Sequence, residues 1–139
     1  MSTQSQSKLE LDTRFPSGPW KGYFLQPDLR SGRSWMDLQL VFTEGKMSGE
    51  GRDWVGRFII SGRYDTESGK CMWRKRYVGR HDVAYHGNNE GRGIWGIWEI
   101  TTENRGGFHI WPEQMGDPDL ERLSTRLEEP VEAELQPVS

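Results

Sequence analysis

Between Trp20 and Trp111 apolar and polar residues alternate in short runs, and turn residues break the runs about every ten positions, the rhythm of an all-β sandwich or barrel. Eight strands are predicted: 20–26, 34–43, 46–52, 56–65, 70–78, 81–87, 91–101 and 107–111. Glu44-Gly45, Thr66 to Gly69, Asn88 to Gly91 and Asn104 to Gly107 place Gly or Asn where hairpins need positive φ. Connections this short leave no room for crossover helices, so neighbouring strands should be antiparallel.

The alternation also sorts the faces. Met36, Leu38, Leu40 and Phe42 share one side of the second strand, opposite Asp37 and Gln39. Phe58, Ile60 and Tyr64 oppose Arg57, Ser61 and Arg63. By the same phase Trp73, Lys75 and Tyr77 face inward, as do His81, Val83 and Tyr85, which brings two ionisable groups, Lys75 and His81, to the inner side. The segment Gly91 to Pro112 departs from the rule, with Ile94, Trp98 and Ile100 on one side of its first strand and Trp95 and Ile97 on the other. A strand apolar on both faces needs a core on one side and a tail or partner on the other. Asp117-Pro118 is a helix start, and Leu120, Leu123 and Leu127 follow at helical spacing. A short helix around 118–128 is therefore expected, its leucines covering Trp95, Ile97 and Trp111.

The domain plan is a polar, disordered leader over 1–13, a β-barrel over 14–112 and an acidic tail over 113–139. A chain of 139 residues is long enough for a core without a metal or disulfide staple. Seven Trp and 17 Gly reinforce the reading of tightly turned β structure. The single cysteine, Cys71, fits a reducing compartment. With no signal-peptide or membrane-spanning run, the expectation is a cytoplasmic protein without membrane attachment. Charge is uneven: Arg14 to Trp111 carries 15 Lys and Arg against 11 Asp and Glu, whereas Pro112 to Ser139 carries two Arg against eight acids. An acidic tail of this kind keeps a protein soluble or shields a basic face, here Arg74, Lys75, Arg76 and Arg80.

Gly18-Pro19-Trp20 opens this eight-strand meander much as a Gly-x-Trp opens the calycin-like barrels, and the chain resembles that architecture, shared by lipocalins, fatty-acid-binding proteins and avidins. The resemblance implies an all-β, eight-stranded antiparallel up-and-down barrel with Trp20 plugging one end. It carries over no ligand residues, because no second lipocalin motif, cysteine pair or avidin ligand pattern is present.

Candidate chemistry is sparse. His81 and His86 are an odd number of positions apart and face opposite sides of a strand, so they cannot share a metal. Asp37, Asp82, Glu99 and Glu103 mostly fall in phase with the polar outer faces. The Gly-Arg dipeptides belong to no phosphate-binding loop, and no nucleophile elbow is present. No metal and no cofactor is expected. What remains is an inner set of Tyr64, Trp73, Lys75, Tyr77, His81, Tyr85, Arg92 and Trp98, suited to a small, partly apolar or anionic ligand, with Lys75 or Arg92 meeting the charge. An eight-stranded barrel has room for its own side chains or one such ligand. Three functions stay open: a non-enzymatic ligand-binding barrel; a protein-interaction or self-association module using an outer face of Trp95, Ile97, His109 and Trp111; and a barrel isomerase or cyclase with Tyr and His as proton donors. The net charge of −3 makes nucleic acid an unlikely partner.

Overall fold

The computed structural model describes residues 9–26 and 32–118. They form eight antiparallel strands in one closed barrel, each paired with its sequence neighbours and β1 paired with β8. The strands are β1 (Gly18–Leu25), β2 (Arg33–Thr43), β3 (Lys46–Asp53), β4 (Arg57–Tyr64), β5 (Lys70–Tyr77), β6 (Asp82–Asn89), β7 (Ile94–Thr101) and β8 (Asn104–Pro112), followed by a single 3-10 turn, Glu113–Met115. The all-β, up-and-down antiparallel barrel read from the alternation is the observed fold. Residues 1–8 of the expected leader and the helix expected around 118–128, beyond Pro118, lie outside the described residues. No helix among the described residues is long and apolar enough to cross a membrane.

Burial follows the period of two that the sequence shows. Along β2 every second residue from Ser34 to Phe42 is buried, and β5 repeats the pattern through Cys71, Trp73, Lys75 and Tyr77. The turn Glu44-Gly45 has φ of 48° and 83°, the left-handed pair that a two-residue hairpin of this twist requires.

The barrel interior is rich in rings, and inward glycines make part of the space. Across the sheet Gly51 stands opposite Phe58, Gly62 opposite Trp73, Gly96 opposite Phe108 and Gly106 opposite Trp98. Rings lie over several inward glycines: a β-carbon at Gly51 would fall 2.6 Å from the Phe58 ring, one at Gly106 2.8 Å from the Trp98 indole, and one at Gly87 2.8 Å from the Phe108 ring. Inward ring-on-glycine packing between neighbouring strands thus accounts for part of the glycine count, while other glycines, such as Gly45 and Gly69, serve turns at positive φ.

The two ends differ. One is stoppered by residues 9–17. Leu9 bridges to Thr43, the Glu10 amide donates to the Phe42 carbonyl, and Glu10 accepts a 2.6 Å hydrogen bond from the Tyr64 hydroxyl. Phe15 is fully buried against Phe42 and Tyr64, at 5.5 and 4.8 Å between ring centroids. Trp20 packs beside it on Phe42 and donates its indole N–H to the Pro16 carbonyl at 2.8 Å. Arg14 ties the stopper down by donating to the carbonyls of Asn89 and Thr66, while Asn89 donates back to the Arg14 carbonyl. Leu9 to Thr13, assigned from composition to a disordered leader, are therefore part of this end. Their order comes from long-range hydrogen bonds that local polarity does not reveal.

Ring-on-glycine packing has a measurable consequence. A β-carbon at Gly62 would lie 2.4 Å from that of Trp73 and 2.2 Å from the Met72 carbonyl oxygen, so Gly62→Ala should destabilise the fold by about 1–3 kcal/mol through overpacking. Urea unfolding of the variant and the parent, followed by Trp emission, reads this directly.

Candidate functional site

At the end opposite the stopper, where β1, β3, β5 and β7 finish, lies a cavity of about 430 Å³. Phe24, Val83 and Trp98 form its apolar wall, Trp54 and Val55 of the β3–β4 turn one lip, and Arg80 and His81 of the β5–β6 turn another, with Lys75, Tyr77 and Tyr85 at its floor. Trp98 is held in place by donating its indole N–H to the Leu25 carbonyl at 2.8 Å.

The floor is a buried ion pair. Lys75 is 1% exposed, and its ammonium nitrogen lies 2.9 Å from Oδ2 of Asp53, which is equally enclosed. The same oxygen accepts a 2.6 Å hydrogen bond from the Tyr77 hydroxyl. Four rings surround the ammonium, those of Phe24, Phe58, Tyr77 and Tyr85, at 4.5, 4.7, 4.9 and 5.2 Å from their centroids, each presenting the negative face of its π system. Burial lowers the Lys75 pKa to about 8, and Asp53 opposes the fall. Burial also raises the Tyr77 hydroxyl far above its usual range, reinforced by the hydrogen bond to Asp53. The Tyr85 hydroxyl is raised as well, by burial first.

The structure gathers five of the eight residues expected to bind a ligand, Lys75, Tyr77, His81, Tyr85 and Trp98, around this one cavity. The other three lie elsewhere. Tyr64 belongs to the stopper, and Trp73 is packed in mid-barrel, stacked on Tyr85 at 5.1 Å and set edge-on to Phe108. Arg92 is exposed in the β6–β7 turn at the stoppered end, on the outside, where its carbonyl lies 2.7 Å from His109 Nε2. It precedes β7, which begins only at Ile94, so inward phase does not extend to it. His81 likewise precedes β6 and is exposed at the rim rather than inside. Lys75 is not on the basic exterior either, its charge being answered internally by Asp53.

The outer face of Trp95, Ile97, His109 and Trp111 divides in two. Trp95 and Ile97 are exposed at 50% and 41%, whereas His109 and Trp111 are buried at 6% and 2%. His109 and Trp111 join Tyr23 and Trp35 in an aromatic cluster outside β1, β2 and β8, over which Arg33 stacks at 4.3 Å from the Tyr23 ring. Trp95 and Ile97 instead border a separate hollow of about 750 Å³ with Met72 and His86. Single-strand phase places all four outside but does not show how strand pairing distributes them.

Sequence reasoning missed Asp53. It lies in phase with the buried Met47 on β3, and Lys75 on an inner face requires an inward acid. Phase and charge together identify it, once two glycines, Gly49 and Gly51, are allowed to occupy the intervening inward positions. Among the described residues no group of three or more His, Cys, Asp or Glu converges as a metal site.

Comparison of the chain with protein families, with curated proteins and with solved structures finds no match. The barrel is consistent with a calycin-like architecture, and the site must be read from its own geometry.

Removing one partner of the buried pair leaves an uncompensated charge, so Asp53→Ala should cost about 3–5 kcal/mol, while Asp53→Leu combined with Lys75→Met should lose much less. Chemical unfolding of both variants gives the comparison.

The titrations set the alkaline limit of the fold. Burial raises Cys71 from 9.0 and Tyr64 from 10.0, each to about 12, and Tyr77 moves the same way. Above the unfolded values the folded state therefore holds more protons than the unfolded chain, and stability falls as pH rises. Lys75, lowered from 10.5 to about 8, acts oppositely between those values, since there the unfolded chain holds the extra proton. Above 10.5 nothing from Lys75 offsets the loss. Urea midpoints should decline steeply from there towards pH 12, with tyrosinate absorbance appearing late in the native protein and at once on unfolding.

Proposed function

We propose that the protein binds a small molecule at the open end of the barrel, its apolar or aromatic body in the cavity and an anionic group at the rim. The observation that carries this reading is the asymmetry of the ends: Phe15 and Trp20 fill one, while the other keeps about 430 Å³ lined by aromatic side chains with Arg80 and His81 at its edge. Ligand sites commonly combine apolar walls with a few placed polar groups, and small barrels place them at the mouth.

The buried ion pair sharpens the division of labour. Lys75 already has an anion within hydrogen-bond distance, so a second anion there would displace Asp53 into a worse environment. Arg80 and His81 carry no such obligation and lie beside solvent, where a ligand carboxylate or sulfonate need not be fully desolvated. The rings of Tyr85 and Trp98 offer stacking or edge contacts to a planar ligand body. The ligand thus sits above the centre of the barrel rather than in it.

Titration with anilinonaphthalene sulfonate tests the reading. A single site with enhanced probe emission is expected, weakened about tenfold in the combined Arg80→Ala and His81→Ala variant, as for loss of charge-assisted hydrogen bonds. Native mass spectrometry of the freshly purified protein should show added mass if a natural ligand co-purifies. Probe binding that ignores the rim variant but disappears on changing Trp95 and Ile97 would move the site to the outer hollow and overturn the assignment.

A further inference from the structure

The outward positions of β3, β4, β5 and β6 hold seven lysines and arginines against two acids, Glu50 and Asp82. Their arrangement is costly. Lys46 stands directly opposite Arg63, and Arg52 directly opposite Arg57, and like charges in register across a sheet repel. Asp82 answers Arg76 at 3.1 Å, but Lys46, Arg52, Arg57, Arg63 and Arg74 enter no ion pair among the described residues.

Of these cations Arg63 and Arg74, together with the paired Arg76, border a groove of about 560 Å³ on the outside of β4, β5 and β6. Its shape follows from the register: Ser61, Arg74 and Ala84 are aligned across the three strands, so small side chains flank one arginine. The taller Arg63 and Arg76 stand to either side, with Ile59 and Met72, about half exposed, beside them. The one ring that points outward from these four strands is the exposed imidazole of His86, which lines the groove on its β6 side. Single-stranded nucleic acid is held by base stacking on successive aromatic rings as well as by charge, and beyond His86 this face offers charge with the aliphatic surface of Ile59 and Met72.

We infer that this groove is a docking surface for an acidic, leucine-bearing segment of a partner protein, its carboxylates on Arg63 and Arg74 and its aliphatic side chains on Ile59 and Met72. It is separate from the cavity at the barrel mouth and does not depend on that cavity having a ligand. An extended segment crossing the strands would offset the repulsion that Arg63 meets from Lys46 while burying the two apolar side chains.

The experiment is a titration of the isotope-labelled full chain with a synthetic peptide of about fifteen residues, mixing Glu, Asp and Leu, followed by amide chemical shifts. Saturable shifts centred on Ser61, Arg63, Arg74 and Ala84 are expected. Affinity should fall about tenfold or more in R63E/R74E, and comparably when salt rises from about 0.05 to about 0.3 M. R63Q/R74Q should show a smaller loss in the same direction and serves if the charge reversals unfold the barrel. Three results would overturn the inference: no shifts on this face; an oligothymidylate of similar length competing the peptide away and binding more tightly; or amides of residues 119–139 moving in R63Q/R74Q or R63E/R74E before any peptide is added, which would make this chain's own acidic tail the occupant.

Discussion

An ammonium group at the heart of a β-barrel survives only if its lost hydration is replaced from every side, and the surroundings of Lys75 do this with one carboxylate and four ring faces. Asp53 supplies the opposite charge, and the Tyr77 hydroxyl takes up further capacity of the same carboxylate oxygen. The partners come from β3 and β5 for the polar groups and from β1, β4, β5 and β6 for the rings. Satisfying Lys75 therefore fixes the relative placement of five strands. A slip of one residue in β5 would turn Lys75 outward and bring Arg74 or Arg76 into the rings. The buried pair thus acts as a register constraint, whatever its net contribution to stability.

That constraint also explains why the two ends of the barrel are unlike. The polar floor lies towards the ends of β3 and β5, so apolar filling stops there and the mouth beyond it is left lined rather than packed. At the other end no charge is buried in the core among the described residues, and Phe15 closes it, backed by the hydrogen bonds between Arg14 and the buried Asn89. The position of one lysine along its strand thereby decides which end is open.

Much of this was legible in the chain. Alternation gave the strands, their antiparallel order and the inward phase of Trp73, Lys75, Tyr77 and Tyr85, because a closed sheet with one dry face imposes a period of two on every strand. It failed where residues lie just outside a strand. His81 and Arg92 occupy turns, where side-chain direction is set by local backbone geometry rather than by pleat, and both are exposed. It was silent on Asp53 because glycines interrupt β3, and composition placed Leu9 to Thr13 in a disordered leader because their partners are distant in sequence. Trp95 and Trp111 share an outward phase, yet one is half exposed and the other buried, a difference that depends on which neighbours flank them around the barrel.

Glycine is the remaining link between composition and function. A barrel of eight strands has a fixed girth, and the Phe58, Phe108 and Trp98 rings take up the space that Gly51, Gly87 and Gly106 leave open, as the base of the Trp73 side chain does at Gly62. Ring-on-glycine pairs pack the middle tightly, so free volume is displaced towards the mouth, where Trp98 and Phe24 meet at 6.2 Å between centroids and line the cavity instead of closing it. Larger residues at those glycines would push rings out of the core and into this space. The cavity exists because the centre of the barrel is already full, and the same economy of small residues that packs the interior leaves the end wall aromatic.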